Sequence, residues 1–289
     1  MMLNPRHLLY LCLFLTVAYQ NLSSSQARKA IQTAAGMYLP SDSVRVQRID
    51  GTEATAELHL VFRVTQHDGR WRLSEVRTGQ DRWERLDVIA RAMNVEIADD
   101  ECDAPSQFAR TADAAELTTK RARCLVAGLF GVTLPSDDVR IRDVSPFGLA
   151  LGSSDATALI DALVQLDFRF ARERRGWEVV AIKSRNRDWT DVRGIVASMD
   201  QLKRSMATEE LSRIAQALDS YRRDRGIFVV SDKGSVLIDH LSPKYLSRVI
   251  RLDPWSRPYQ YQGEQTAYSL SSLGPDGKPN TPDDIVVKN

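Results

Sequence analysis

Alternating apolar positions predict one long strand in each half of the chain. They fall on every second residue, which is the spacing of side chains on one face of a strand. The positions are Leu58, Leu60, Phe62 and Val64 in the first half and Leu166, Phe168 and Phe170 in the second. A helical pattern, a proline and a short strand precede each long strand, and a third strand and a closing helical pattern follow it. The sequence therefore predicts an α+β fold in which the order α-β-β-β-α occurs twice with antiparallel sheets.

The residues themselves repeat along these two segments. LPSDSVRV, which begins at Leu39, matches LPSDDVRI, which begins at Leu134, and LVFRV matches LDFRF. Two tryptophan pairs also match, Trp71 with Trp177 and Trp83 with Trp189. The second copy carries about eleven additional residues in a turn around 143–155. We expect the two copies to share a fold and the tryptophans to lie in the core.

These patterns divide the chain into five segments. They are a signal peptide or anchor over 1–24, a first repeat module over 25–98, a linker over 99–116, a second repeat module over 117–203 and a C-terminal domain over 204–289. The linker is polar and contains proline. The C-terminal segment begins with a helical pattern, for which Thr208 is the predicted N-cap, and continues as short strands and turns.

The N-terminal segment has the pattern of a secretory signal. Arg6 and His7 precede an apolar run over 8–19, which is shorter than the ~20 residues that span a bilayer as a helix. We expect export to the periplasm or beyond, with the segment either cleaved or kept as a membrane anchor over residues 8–19. The net charge of +1 gives no reason to expect nucleic acid or an anionic membrane surface as a partner.

Two cysteines, Cys102 and Cys124, follow the signal segment. An even pair in an oxidising compartment is compatible with a disulfide. Two unpaired thiols are the alternative, because the sequence does not show whether the two Cα atoms come within bonding range. Both arrangements stay open at this point.

The C-terminal segment carries three motifs in a recognisable order. They are ALDSYRRDRG, LDPWSRPYQY and YSLSSLGPDGKPNTPDDI. Together they resemble the periplasmic domain of the major pseudopilins of type II secretion systems. The resemblance implies a long helix packed on a small antiparallel sheet, and a last loop that binds Ca²⁺.

The same resemblance implies a set of calcium ligands in that loop. Asp276, Asp283 and Asp284 bind through their carboxylates, whereas Leu273 and Thr281 bind through their main-chain carbonyls. Oxygen ligands of this kind suit Ca²⁺, which takes six to eight of them. A solvated acidic turn without an ion is the alternative interpretation of these aspartates.

The chain departs from the pseudopilin pattern at its N-terminal side. Pseudopilins begin with a short leader that is cut after a glycine, then a phenylalanine, a glutamate and a long apolar helix that packs in the filament. Here an ordinary signal and about 180 residues of repeats occupy that place. The resemblance therefore implies the domain fold and its ion rather than assembly as a pilin.

No catalytic motif accompanies these features. HExxH, GxSxG, P-loop and glycine-rich dinucleotide motifs are absent from the sequence, so the chain is predicted not to be an enzyme. We predict an exported structural or adaptor protein that binds a protein partner of the secretion machinery. The alternative is a periplasmic small-molecule-binding protein that uses the two repeat modules. A filled apolar concavity favours the former, and an open pocket with converging polar groups favours the latter.

Overall fold

The computed structural model describes residues 21–67, 70–95, 102, 116–145, 156–185 and 187–289. Most of the signal segment, most of the linker and the inserted turn over 146–155 lie outside the described residues. The predictions for cleavage, linker and insertion therefore stay predictions.

The first half of the chain forms a helix, four strands and a second helix. These are α1 (Ser24–Gln32), β1 (Val44–Asp50), β2 (Glu53–His67), β3 (Arg70–Arg77), β4 (Trp83–Arg85) and α2 (Leu86–Ala92). The second half follows the same order with α3 (Thr119–Phe130), β5 (Val139–Ser145), β6 (Thr157–Glu173), β7 (Gly176–Lys183), β8 (Thr190–Asp191) and α4 (Val192–Arg225). Each half thus contains a fourth, very short strand that the alternating pattern did not predict.

Both halves contribute to a single eight-stranded antiparallel sheet. Its order is β4-β3-β2-β6-β7-β8, with β1 also paired to β2 and β5 to β6. The two long strands join the halves, because β2 and β6 pair from Glu53 opposite Arg169 to Thr65 opposite Thr157. We call this part of the protein, from α1 to the start of α4, the sheet domain.

One core serves the whole sheet domain. Alternate residues of β2 and β6 face the helices and bury their side chains, as the period-two pattern predicted. Phe62 and Ile160 from the sheet, Leu125 from α3 and Leu86 from the start of α2 are almost fully buried. Trp71 is buried, and Trp177, two residues into the corresponding strand, packs against the same core.

The two cysteines form a disulfide. The Cα atoms of Cys102 and Cys124 lie 5.6 Å apart, which is in the usual range for a bridge. The disulfide alternative is therefore confirmed. It fixes residue 102 to α3 across 22 positions of sequence.

Helix α4 runs from the sheet domain into the C-terminal part of the chain without a break. It has 34 residues, begins where Asp191 accepts a hydrogen bond from the Gly194 N–H, and ends at the left-handed Gly226. The prediction that a helix starts at Thr208 is wrong. The Thr208 hydroxyl instead donates to the Arg204 carbonyl at 2.9 Å, as threonines inside helices do. No glycine or proline between 195 and 225 interrupts the helix.

The C-terminal domain packs on the second half of α4. It contains α5 (Gly234–Leu241), β9 (Gln260–Gly263), β10 (Tyr268–Ser272) and β11 (Ile285–Lys288). The strands form a small antiparallel sheet in the order β11-β10-β9. This sheet and α5 enclose a second core around Leu211, Ile214 and Leu218 of α4. The predicted long helix on a small antiparallel sheet is confirmed.

We searched the helices of the described residues for a candidate membrane span. None of them combines the length and the apolar character that crossing a bilayer requires.

Candidate metal-binding loop

The loop over residues 273–284 connects the last two strands. Pairing of Ser272 with Ile285 brings its two ends together. Gly274, Gly277 and Asn280 adopt left-handed backbone conformations with φ of 58°, 67° and 64°, which lets the loop curl within a short stretch. A side chain at Gly274 would clash with the carbonyl of Asp283. The predicted ligands therefore all lie in one tightly folded loop.

Residues of the LDPWSRP motif support this loop through hydrogen bonds. Asp253 is buried, and its Oδ1 accepts hydrogen bonds from the N–H groups of Trp255 at 3.0 Å and Arg257 at 2.9 Å. Its Oδ2 accepts from the Ser272 hydroxyl at 2.6 Å. Arg257, held in this way, donates through its guanidinium to the carbonyls of Gly274 and Pro275. Asp253 and Arg257 thus position the loop.

The hydroxyl of Thr281 links two of the predicted carboxylates. Its Oγ1 lies 2.6 Å from Asp283 Oδ1 and 3.4 Å from Asp276 Oδ1. The other oxygen of Asp283 accepts a hydrogen bond from the Asp276 N–H at 3.1 Å. The Thr281 hydroxyl and, after it, the Asp276 N–H hold the pKa of Asp283 below its usual range. Asp283 is therefore ionised at neutral pH.

Asp284 has one satisfied and one unsatisfied carboxylate oxygen. Oδ2 accepts hydrogen bonds from the N–H groups of Asn280 at 2.7 Å and Thr281 at 3.3 Å. Oδ1 is buried and has no hydrogen-bond partner among the residues that the structure describes. A buried carboxylate oxygen without a partner is energetically unfavourable. A cation close to this oxygen would remove that cost.

The two predicted carbonyl ligands take part in turns of the loop. The carbonyl of Leu273 accepts from the Gly277 N–H at 3.1 Å, and that of Thr281 accepts from the Asp284 N–H at 3.2 Å. A carbonyl oxygen has two lone pairs, so each retains an acceptor site. Across the described parts of the chain, no three His, Cys, Asp or Glu side chains are already grouped to hold a metal ion. The loop contains the donor set that Ca²⁺ prefers, with its oxygens engaged with the loop's own N–H and hydroxyl groups.

Sequence reasoning identified the aspartates of the loop and missed the residues that support it. Asp253 and Arg257 lie inside the LDPWSRP motif, but the motif served only for recognition. The available signal was an acidic residue flanked by leucine, proline and tryptophan, because apolar neighbours favour burial and a buried carboxylate needs several hydrogen-bond donors. Arg204 was also missed; its guanidinium donates from α4 to the Asp283 carbonyl at 3.1 Å.

Comparison with known proteins gives the C-terminal domain a family. The family model described as type II secretion system (T2SS), protein G, matches residues 194–289. The match begins in the first turn of α4 and extends through the acidic loop to β11. It therefore spans the shared helix as well as the small sheet.

A curated relative agrees with this match. The type II secretion system core protein G of Pseudomonas aeruginosa is 32% identical over 97 residues, which cover 29% of this chain and 68% of the relative. No solved structure matches the chain. The C-terminal domain that α4, the LDPWSRP turn and the acidic loop build is of the pseudopilin type, and through it the chain belongs to the type II secretion system protein G family.

Proposed function

We propose that this protein is an exported, non-enzymatic adaptor of type II secretion. The observation that carries the proposal is the protein G family domain at the end of α4, joined to a sheet domain that the family match does not cover. The C-terminal domain associates with the secretion machinery, and the sheet domain presents a binding surface to a protein partner. The N-terminal segment directs export.

The packing of α4 supports an adaptor rather than a filament subunit. In pseudopilins the helix continues into an apolar stem that packs in the filament. Here Val192 and Ile195, at the start of α4, are buried in this chain's own sheet domain. Lys203, about two turns further along α4, is also buried and pairs with Glu84 of β4 at 2.5 Å. The surface by which the helix would contact a neighbouring stem is thus covered by the sheet domain.

The acidic loop of the adaptor binds Ca²⁺ as part of the same proposal. Asp276, Asp283 and Asp284 hold the ion through carboxylates, and Leu273 and Thr281 hold it through carbonyls. The buried, unpartnered Oδ1 of Asp284 and the lowered pKa of Asp283 support this assignment, because both favour a nearby positive charge. The ion stabilises the closed loop.

Copurification from the native host tests the adaptor role. The full chain carries a tag, the cells are cross-linked intact, and the captured proteins are identified by mass spectrometry. We expect components of the type II secretion system to be enriched over capture by an unrelated exported protein with the same tag. Capture of no secretion component at a native expression level would overturn the proposal.

A further inference from the structure

The sheet domain contains a cavity between the sheet and its helices. The cavity has a volume of about 240 Å³ and a lining that is almost entirely apolar. An engineered apolar cavity of roughly 150 Å³ stays free of water and holds benzene. The cavity is therefore large enough for an apolar molecule somewhat larger than benzene. It is neither the filled concavity nor the polar pocket that the sequence set against each other.

Both halves of the chain contribute to the lining at matching positions. Many of the lining residues form pairs that are 106 positions apart in the sequence, which is also the offset of the two tryptophan pairs. Among them are Leu60 with Leu166, Phe62 with Phe168, Ile89 with Ile195, and Met93 with Met199. A packing fault has no reason to fall at equivalent positions of both halves, because protein interiors are close-packed. The cavity is therefore a regular feature of the place where the two halves meet.

Methionine side chains form part of the lining. Met37, Met93 and Met199 all line the cavity, and they are three of the six methionines in the sequence. Each of the three is partly exposed, so the cavity lies close to solvent where they are. The unbranched methionine side chain adapts its shape to different neighbours. These residues therefore provide an adaptable part of the wall at which a small apolar molecule can enter.

Two cationic residues border the cavity with their strands but turn their side chains away from it. Arg77 and Lys183 follow Val76 and Ile182, whose side chains pack in the core, and successive side chains of a strand lie on opposite faces of the sheet. The ammonium group of Lys183 lies 5.9 Å from the ring centre of Trp189. Neither cation is therefore placed to pair with a ligand in the cavity.

The other charged residues of the lining are paired or exposed. Arg82 donates to Glu84 at 3.3 Å, Arg187 donates to the Gly128 carbonyl at 3.3 Å, and Asp188 is exposed. A charge that is buried without a partner is energetically costly. Because the described lining residues hold no uncommitted charge inside the cavity, the cavity selects against a ligand that carries an ionised group.

Two hydroxyl residues of the lining leave its apolar character unchanged. Thr78 follows β3 and Ser184 follows β7, and the oxygen atom of each hydroxyl is buried. Because the protein covers these oxygens, the surface that faces the cavity is still formed mostly by hydrocarbon side chains. A ligand on this surface is held through its apolar area.

We propose that this cavity binds an uncharged, largely hydrocarbon molecule of about eight carbons. A methylene group is about the size of a water molecule, whose share of liquid volume is roughly 30 Å³, so a molecule of this length matches the volume of the cavity. Its removal from water drives binding, and its contacts with the lining add dispersion attraction. The site is independent of the adaptor role proposed above.

Titration of the full chain with 1-octanol tests the proposal. Calorimetry measures its affinity and that of octanoate, which has the same number of carbons and is ionised at neutral pH. Ala90→Leu adds side-chain volume at a buried residue of the lining on α2. Ala197→Leu makes the same substitution at an exposed residue of α4 outside the lining and is the matched control. Thermal unfolding of both variants is measured alongside.

We expect 1-octanol to bind at least tenfold more tightly than octanoate, because burying an unpaired carboxylate is unfavourable. Ala90→Leu should weaken octanol binding tenfold or more and keep or raise the melting temperature, because it fills part of the cavity. Ala197→Leu should bind octanol as the unmodified chain does. The contrast between the two ligands on the unmodified chain decides even if Ala90→Leu does not fold. No octanol binding, equal binding of octanoate, or full binding by folded Ala90→Leu would overturn the proposal.

Discussion

The sheet domain and the C-terminal domain are held together in different ways. In the sheet domain, two long strands and an apolar core dominate, and the buried hydroxyls of Thr78 and Ser184 have no hydrogen-bond partner in the described part of the chain. In the C-terminal domain, most of the buried polar groups are tied to specific partners, and Asp284 Oδ1 is the exception among those described. Asp253 satisfies three donors, Tyr259 donates to Glu210 at 2.7 Å, and Tyr261 donates to the Val229 carbonyl at 2.7 Å.

This difference explains why the family of the C-terminal domain can be recognised from sequence motifs and that of the sheet domain cannot. A polar network requires particular residues at particular positions, because each donor and acceptor must be matched. An apolar core accepts many residues of suitable size. The C-terminal domain therefore carries family motifs, whereas the sheet domain is visible in the sequence only as a pattern.

The largest expected loss of stability comes from breaking a contact between α4 and the sheet domain. Lys203 of α4 is 4% exposed and pairs with Glu84 of the sheet domain. Lys203→Met leaves the Glu84 carboxylate, whose side chain is 11% exposed, without this partner, and breaking a fully buried pair typically costs about 3–5 kcal/mol. Because Arg82 also pairs with Glu84 at 3.3 Å, we expect a loss of about 3 kcal/mol in the free energy of unfolding, measured by urea titration.

Two further variants make this measurement specific. Adding Glu84→Gln to Lys203→Met should recover part of the loss, because the buried charge is then removed as well. Lys120→Met on α3 changes an exposed lysine and should change stability by less than about 0.5 kcal/mol. If Lys203→Met costs no more than Lys120→Met, the two regions are not coupled through this pair.

The next effect concerns the sheet domain alone. Cys102→Ser with Cys124→Ser opens a loop of 22 positions, which should cost about 3 kcal/mol through the entropy of the unfolded chain. Of the five tryptophans, Trp255 reports on the C-terminal domain, and the other four lie in the sheet domain. In the double serine variant, the fluorescence of the sheet-domain tryptophans should change at a lower denaturant concentration than the fluorescence of Trp255. Identical shifts at all tryptophans would mean that the regions unfold as one unit.

A smaller effect, at high pH, concerns the C-terminal domain. Burial raises the pKa of Tyr261 to about 12, and it also raises the pKa values of Tyr259 and Tyr268. The folded state thus favours the neutral phenols. The stability they contribute is fully present below about pH 10, the unfolded value, and is lost as pH rises toward 12. We expect the C-terminal domain to unfold first in alkali.

A tyrosinate absorbance titration checks this expectation. Tyr261→Phe should raise the pH of alkaline unfolding, while the loss of its hydrogen bond lowers stability at neutral pH by about 1 kcal/mol. Tyr38→Phe, at a residue that is 70% exposed, serves as the control and should leave both values unchanged. Alkaline unfolding that begins in the sheet domain would contradict the expectation.

The sequence predicted the elements of the sheet domain but not how they assemble. Alternation at Leu58, Leu60 and Phe62 shows which face of β2 is buried. The alternation carries no information about which strands lie beside β2 in the sheet, so the pairing of β2 with β6 was not predicted. The continuity of α4 was missed because a threonine followed by two glutamates also fits a helix start.

In the C-terminal domain the motifs predicted the long helix packed on a small antiparallel sheet. They indicated the aspartates, but not the hydrogen bonds that hold them. The interaction of Arg257 with the carbonyls of Gly274 and Pro275 depends on a chain path that brings residues distant in sequence together. The bridging role of the Thr281 hydroxyl between Asp276 and Asp283 likewise needs the coordinates of the loop.

Thermal unfolding of the full chain with calcium and with excess chelator tests the central claim most directly. Calcium at about 100 times its dissociation constant should stabilise the folded state by about 2.7 kcal/mol. That corresponds to an increase of several degrees in the melting temperature. Asp283→Asn with Asp284→Asn should abolish the increase, and Asp232→Asn, at an exposed residue, should preserve it. An unchanged melting temperature of the unmodified chain between calcium and chelator would contradict the account.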